Sequence, residues 1–151
     1  MDPTATELQE AYHDEDKHGS GELLERNLSD VPRRDALIVA PHENLSAVVE
    51  RMNDRSVGCA LVVEDGALVG IFTERDVLKK MAARGLDTNK VLVKDLMTRQ
   101  PDTLPEETTV AFALNRMSVE GSRHIPLVDV DGKAIGVVGM RDIINWLVEL
   151  H

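Results

Sequence analysis

Hydrophobic positions along this chain follow two spacings, and the whole sequence of spacings occurs twice. Leu45, Val48, Val49 and Met52 fall at i, i+3, i+4 and i+7, and Val110, Ala113, Leu114 and Met117 repeat that set 65 residues on. Each set places one apolar stripe on a helix. Ahead of each helix lies a short apolar strand. The first is Ala36-Leu37-Ile38-Val39-Ala40, ending at Pro41, and its partner is Asp102-Thr103-Leu104, ending at Pro105. After each helix come two strands joined by a tight turn. Cys59–Val63 and Ala67–Phe72 flank Asp65-Gly66, and Ile125–Val128 and Ala134–Val138 flank Asp131-Gly132. Asp-Gly between β-branched runs signals a hairpin, because glycine supplies the positive φ of the turn. Unbroken Val/Ile runs predict strands buried on both faces. A last helix closes each copy, Arg75 to about Arg84 before Gly85, and Arg141 to about Leu150.

The pattern therefore reads strand, helix, strand, strand, helix, twice. The stretch Asp65-Gly66…Gly70…Arg75-Asp76 recurs as Asp131-Gly132…Gly136…Arg141-Asp142, with an offset of 66 throughout. Leu28-Ser29-Asp30-Val31 is echoed by Val93-Lys94-Asp95-Leu96. A duplication of this kind sets the architecture. Each copy is small for an independent core, so two copies sharing one core is the expected arrangement. The expected divisions are an acidic, partly flexible polar tail over 1–27, one repeat over 28–90 and a second over 91–151.

Composition narrows the function. The chain has 151 residues, 42% hydrophobic but only 3% aromatic, so its core is built from aliphatic side chains. A formal charge of −10 argues against nucleic-acid or anionic-membrane binding, since both need a basic face. One cysteine, Cys59, rules out an internal disulfide and suits a reducing, cytoplasmic setting. No apolar run is long enough to cross a membrane, and acids stand where a signal peptide needs apolar residues. The tail carries His13-Asp14-Glu15-Asp16-Lys17-His18 before Gly19-Ser20-Gly21. Those side chains are able to bind a metal, but the flanking glycines favour a solvated tail, and no metal site is assigned.

The candidate chemistry lies where the last strand meets the last helix of each copy. In the first, Thr73-Glu74-Arg75-Asp76 describes an ordinary helix cap, with a hydroxyl and a carboxylate satisfying free N–H groups. The second copy keeps the acid, Asp142, but has Gly139 in place of the threonine. A pure capping role loses half its logic there, so a binding role for the two acids stands beside the capping one.

The duplicated order of strand-Pro, amphipathic helix ending in Met, Val-Val or Pro-Leu-Val strand, Asp-Gly and Leu-Val-Gly-Ile-Phe-Thr-x-x-Asp resembles the tandem cystathionine-β-synthase (CBS) domain pair, or Bateman module. The lead-in Val93-Lys94-Asp95-Leu96-Met97-Thr98 resembles the family's usual entry to a repeat, and the likeness runs from about Leu28 to Leu150. It implies an α/β (α+β) fold of two β-α-β-β-α repeats packed about a pseudo-twofold, with two clefts for adenosine ligands: AMP first, then ADP, ATP or S-adenosylmethionine. Asp76 and Asp142 match the family's ribose-binding acid, for a carboxylate accepts both hydroxyls of a cis-diol. A helix N-terminus suits the phosphate. The resemblance assigns Ile38, Val39, Ala40, Gly58, Cys59, Ala60, Thr73, Arg75 and Asp76 to the first cleft. It assigns Thr103, Leu104, Arg123, His124, Ile125, Pro126, Gly139, Met140, Arg141 and Asp142 to the second, with Arg123, His124 and Asp142 making the second the better nucleotide site. Arg75 and Arg141 are either phosphate ligands or solvated helix residues, and His124 either a phosphate neighbour or an exposed histidine.

Three functions compete on this reading. A regulatory module senses nucleotide and modulates a separate partner protein, working as a homodimer. A structural or interaction protein has the same fold with degenerate clefts. An enzyme is disfavoured, because no Gly-x-Ser-x-Gly, Walker loop, Cys-x-x-Cys or His-Glu-x-x-His occurs, and no catalytic cofactor is implied.

Overall fold

The first Asp-Gly is the tight turn its letters predict. The second lies in a longer connection over 129–133, in which Gly132 alone takes positive φ, 79°. Asp65 and Gly66 both take positive φ, 52° and 80°, the two-residue geometry that matches the twist of paired strands. In this computed structural model, which describes residues 20–150, that turn joins β2 (Cys59–Glu64) to β3 (Ala67–Thr73). β1 (Leu37–Val39) pairs parallel to β2. Between them runs α2 (Leu45–Arg55), started by Asn44, whose side chain accepts from Ser46 N at 3.0 Å. The second half repeats this with β5 (Leu104–Pro105), α5 (Val110–Glu120), β6 (His124–Val128) and β7 (Ala134–Gly139). Thr109 caps α5 by accepting from Phe112 N at 3.2 Å. Each hairpin shifts register at matching places, between Val62 and Val63 and between Leu127 and Val128.

The closing helices differ. α6 (Met140–Glu149) is regular. α3 starts as Glu74–Asp76, widens to a π-helical turn over Val77–Met81, and ends with Ala82–Arg84 before Gly85 at φ 60°. Within each repeat the order strand, helix, strand, strand, helix is the one the periodicity predicts. The short elements at Ser20–Leu24, Val93–Leu96 and Thr98–Arg99 lie outside that prediction.

The one shared core expected from the duplication is not what forms: each half has its own aliphatic core, and the two cores are tied together by exchanged entry segments. Leu28 and Val31 precede the first repeat's strand, yet they are buried among Leu104, Val110, Ile125 and Trp146 of the second. Leu28 N donates to Thr108 O at 2.9 Å, and Val110 N to Arg26 O at 2.8 Å. The mirror exchange brings α4 (Val93–Leu96) and Met97 into the first core with Leu45, Val48 and Phe72. Leu45 N donates to Val91 O at 2.9 Å there. β4 (Thr98–Arg99) then finishes the first sheet, in the order β1-β2-β3-β4, beside Gly70 and Ile71. Gly70 makes room at this crossing, since a Cβ on it would stand 2.5 Å from Met97 Sδ and 3.0 Å from Thr98 O, and the methionine would have to move. A smaller cluster of Cys59, Leu61 and Ile71 packs with Ala134 and Val137 of β7, so the sheets also meet directly.

The tail read from sequence over 1–27 ends in structure. α1 (Ser20–Leu24) rests Leu23 and Leu24 against the second core. The stretch His13–His18 lies outside the described residues. Among the described residues no three His, Cys, Asp or Glu side chains group as metal ligands, and no helix is long and apolar enough to cross a membrane.

Candidate functional site

The two strand-to-helix turns have the same backbone but different electrostatics. At the first, Asp76 is 9% exposed and fully engaged. Its Oδ2 accepts from Thr73 N at 2.9 Å and from Thr73 Oγ1 at 3.1 Å, and Lys80 Nζ lies 3.2 Å from its Oδ1. Asp76 N in turn donates to Thr73 Oγ1 at 3.3 Å. This is a complete capping box with an i,i+4 ion pair added.

At the second turn the box is half built. Gly139 N donates to Asp142 Oδ2 at 2.7 Å, but glycine has no hydroxyl to return the bond to Asp142 N. Asp142 Oδ1 has no hydrogen-bond or ion-pair partner among the described residues, and the side chain is half-buried. Met140 N is taken by Arg123 O at 2.8 Å, which draws the start of β6 against the start of α6. Arg123 and Arg141 are exposed.

His124 opens β6 and pairs with Gly139 across the ladder. Its ring stands beside Gly139 and also beside Gly58 of the first half, with Nε2 3.3 Å from where a Cβ on Gly58 would be. Burial lowers the imidazole pKa from its ordinary 6.5, Asp142 and Glu74 pull it up, and Arg123 pushes it down. At the matching position of the first half, Cys59 is 5% exposed. Burial, with the charges of Asp142 and Glu74, pushes its thiol up to about 12. Glu74, Cys59, His124 and Asp142 thus gather where the halves meet. Glu74 was not legible as a member of this region, because its nearness to His124 depends on how the two halves meet.

The remaining assigned positions divide. Val39 and Ala60 are spent in the first core, Leu104 and Ile125 in the second. Pro126 is buried as well. These positions have backbone rather than side chains to offer a ligand. Ile38 is 45% exposed, and Ala40 is exposed beside it. Arg75 turns away from its own helix start and donates to Gly121 O at 2.8 Å, tying α3 to the end of α5. Thr103 and Leu104 line a surface hollow of about 470 Å³ with Phe112 and Arg116, and neither Arg123 nor the Gly139–Asp142 turn is among its walls. A polar hollow of about 220 Å³ lies between Arg33, Arg34 and Gly136, outside the assigned set.

Two duplicated α/β halves, each closing on a carboxylate at a helix start, with exchanged entry segments, define a paired-repeat class of fold. The chain belongs to the CBS domain family: the family model matches residues 28–83 and again 93–149. It is 33% identical to an uncharacterized protein of Methanopyrus kandleri over 79% of this chain and 61% of that protein's length. It thus spans under two thirds of that relative. The fold matches CBSX2 of Arabidopsis thaliana, solved in complex with AMP, at TM-score 0.70 and 23% identity, covering 83% of this chain and 98% of that one. It also matches the CBS domain pair of protein MJ0100, solved with 5′-methylthioadenosine and S-adenosyl-L-methionine, at TM-score 0.71 and 23% identity over 80% and 98% of the two chains.

Proposed function

We propose that this chain is a regulatory, non-catalytic module that binds one adenosine nucleotide at the turn between β7 and α6. AMP is the first choice, with ADP, ATP and S-adenosylmethionine the alternatives, and occupancy modulates a separate partner protein. The carrying observation is Asp142, anchored through Oδ2 by Gly139 N at 2.7 Å while its Oδ1 meets no partner among the described residues. A carboxylate fixed by one oxygen and open at the other is suited to a ribose diol. The solved CBS pairs holding AMP or S-adenosylmethionine support the ligand class. Exposed Phe112, Val119, Ile144 and Val148 on α5 and α6 support the homodimer as the working form. A cytoplasmic setting fits the buried free thiol of Cys59.

A second reading has its own support in the first half. Asp76 already serves Thr73 and Lys80, so that half acts as scaffold, and one ligand per chain is the expected stoichiometry. Calorimetry and thermal melting with AMP, ADP, ATP and S-adenosylmethionine test the proposal. Ligand at ~100 times its Kd should raise stability by about 2.7 kcal/mol. A flat response across the panel removes the sensor reading and leaves the scaffold.

A further inference from the structure

The second half departs from the first at two positions that touch. β2 and β3 pair Cys59 with Thr73, whereas β6 and β7 pair His124 with Gly139. A side chain on Gly139 would begin 3.3 Å from His124 Cδ2 and 3.2 Å from Asp142 Oδ2. A threonine at 139 would crowd the imidazole, and the same corner holds a hydroxyl in the first half and a ring in the second. The first half puts its polar group on the later strand, opposite a small thiol. The second puts a larger, titratable group on the earlier strand, opposite no side chain. The corner stays filled, which a close-packed interior demands, but the polar atoms change from a hydroxyl to a base.

From this exchange we infer that anionic ligands bind the second turn with uptake of a proton by His124. The inference rests on the nucleotide-binding proposal above. Four groups face or flank the ring: Asp142 from α6, Glu74 from the start of α3, Arg123 beside it on the strand entry, and Cys59 on β2, buried near the same two carboxylates. Burial and Arg123 favour the neutral ring, and the two carboxylates favour the charged one. Burial weighs most and holds the ring toward its neutral form, so a further negative charge set beside it is what draws a proton on. A phosphate group brings about one and a half to two negative charges at neutral pH. The proton comes from solvent, and no covalent bond changes. Phosphorylated adenosine is then favoured over uncharged adenosine, increasingly as pH falls.

Calorimetry of the full chain with AMP and with adenosine, in buffers of different ionisation enthalpy between pH 6 and 8, reads the linkage. The wild type should take up a fraction of a proton with AMP and none with adenosine, and its preference for AMP should fall with rising pH by up to about tenfold per unit. His124→Gln keeps a polar side chain that does not titrate. Its remaining pH profile measures the ligand's own phosphate titration, so the difference from wild type belongs to the imidazole. The pair His124→Cys with Gly139→Thr rebuilds the corner of the first half and should bind without His-linked uptake. Equal proton uptake in wild type and His124→Gln overturns the role of His124 and leaves nucleotide binding standing. So does an equal loss of AMP and adenosine affinity in that variant. Absence of binding by either compound to the wild type overturns the nucleotide proposal and this inference together.

Discussion

At the scale of single residues, two aspartates with the same sequence context do different work. Asp76 satisfies a helix cap and a lysine, while Asp142 keeps one oxygen unengaged among the described residues. Asp142→Asn should weaken AMP binding at least tenfold with little change in melting temperature. Asp76→Ala should leave AMP affinity intact and cost about 1–2 kcal/mol in urea unfolding, the usual loss for a removed cap. The reverse pattern would assign the site to the first half. Cys59 gives a second residue-scale test. Its thiol is driven up to about 12, so at pH 8 iodoacetamide should label the folded chain far more slowly than the unfolded one. Below pH 9 both states hold the proton. Between pH 9 and about 12 the unfolded thiol ionises and the native one does not, so stability falls as pH rises. Comparing Cys59→Ala with wild type over that window isolates the contribution. The acids and Cys59 were visible in the sequence. Which acid was already satisfied was not, because Lys80 meets Asp76 only once α3 is wound, and His124 meets Gly139 only through the strand register.

At the scale of elements, the two copies of the amphipathic helix end differently. α5 closes on Gly121 at φ 69°, the left-handed position where glycine has no penalty. α2 closes on Ser56 at φ 53°, where a Cβ is unfavourable, and Arg34 Nη1 braces it by donating to Arg55 O at 3.0 Å and Ser56 O at 2.9 Å. Ser56→Gly should therefore stabilise the chain by about 1 kcal/mol, a rise of about 2–4 °C in melting temperature. An unchanged or lower melting point would mean that the serine contributes something the backbone geometry does not reveal. Elements were the most legible level. The 3.6-residue stripes gave α2 and α5, and the Asp-Gly turns placed both hairpins. The π-helical turn at Val77–Met81 left no mark, since Val-Leu-Lys-Lys-Met reads as ordinary helix.

At the scale of the whole molecule, the reciprocal exchange of entry segments decides how the chain behaves. Leu28 is fully buried, yet its contacts lie in the half that begins more than sixty residues later. Leu28→Ala should cost about 2–5 kcal/mol, as for other buried leucines. It should shift a single cooperative transition rather than split it, because each core holds a piece of the other's approach. Two separate transitions in calorimetry would contradict that. Periodicity showed the duplication but not the crossing, because Leu28 and Val93 suit either core equally in hydrophobicity, and only three-dimensional reach assigns them. The exchange has a further cost in the crowded conditions of refolding. Two molecules unfolding side by side present each other with the same pair of clasps, so concentrated refolding should yield interlocked dimers whose every core is native.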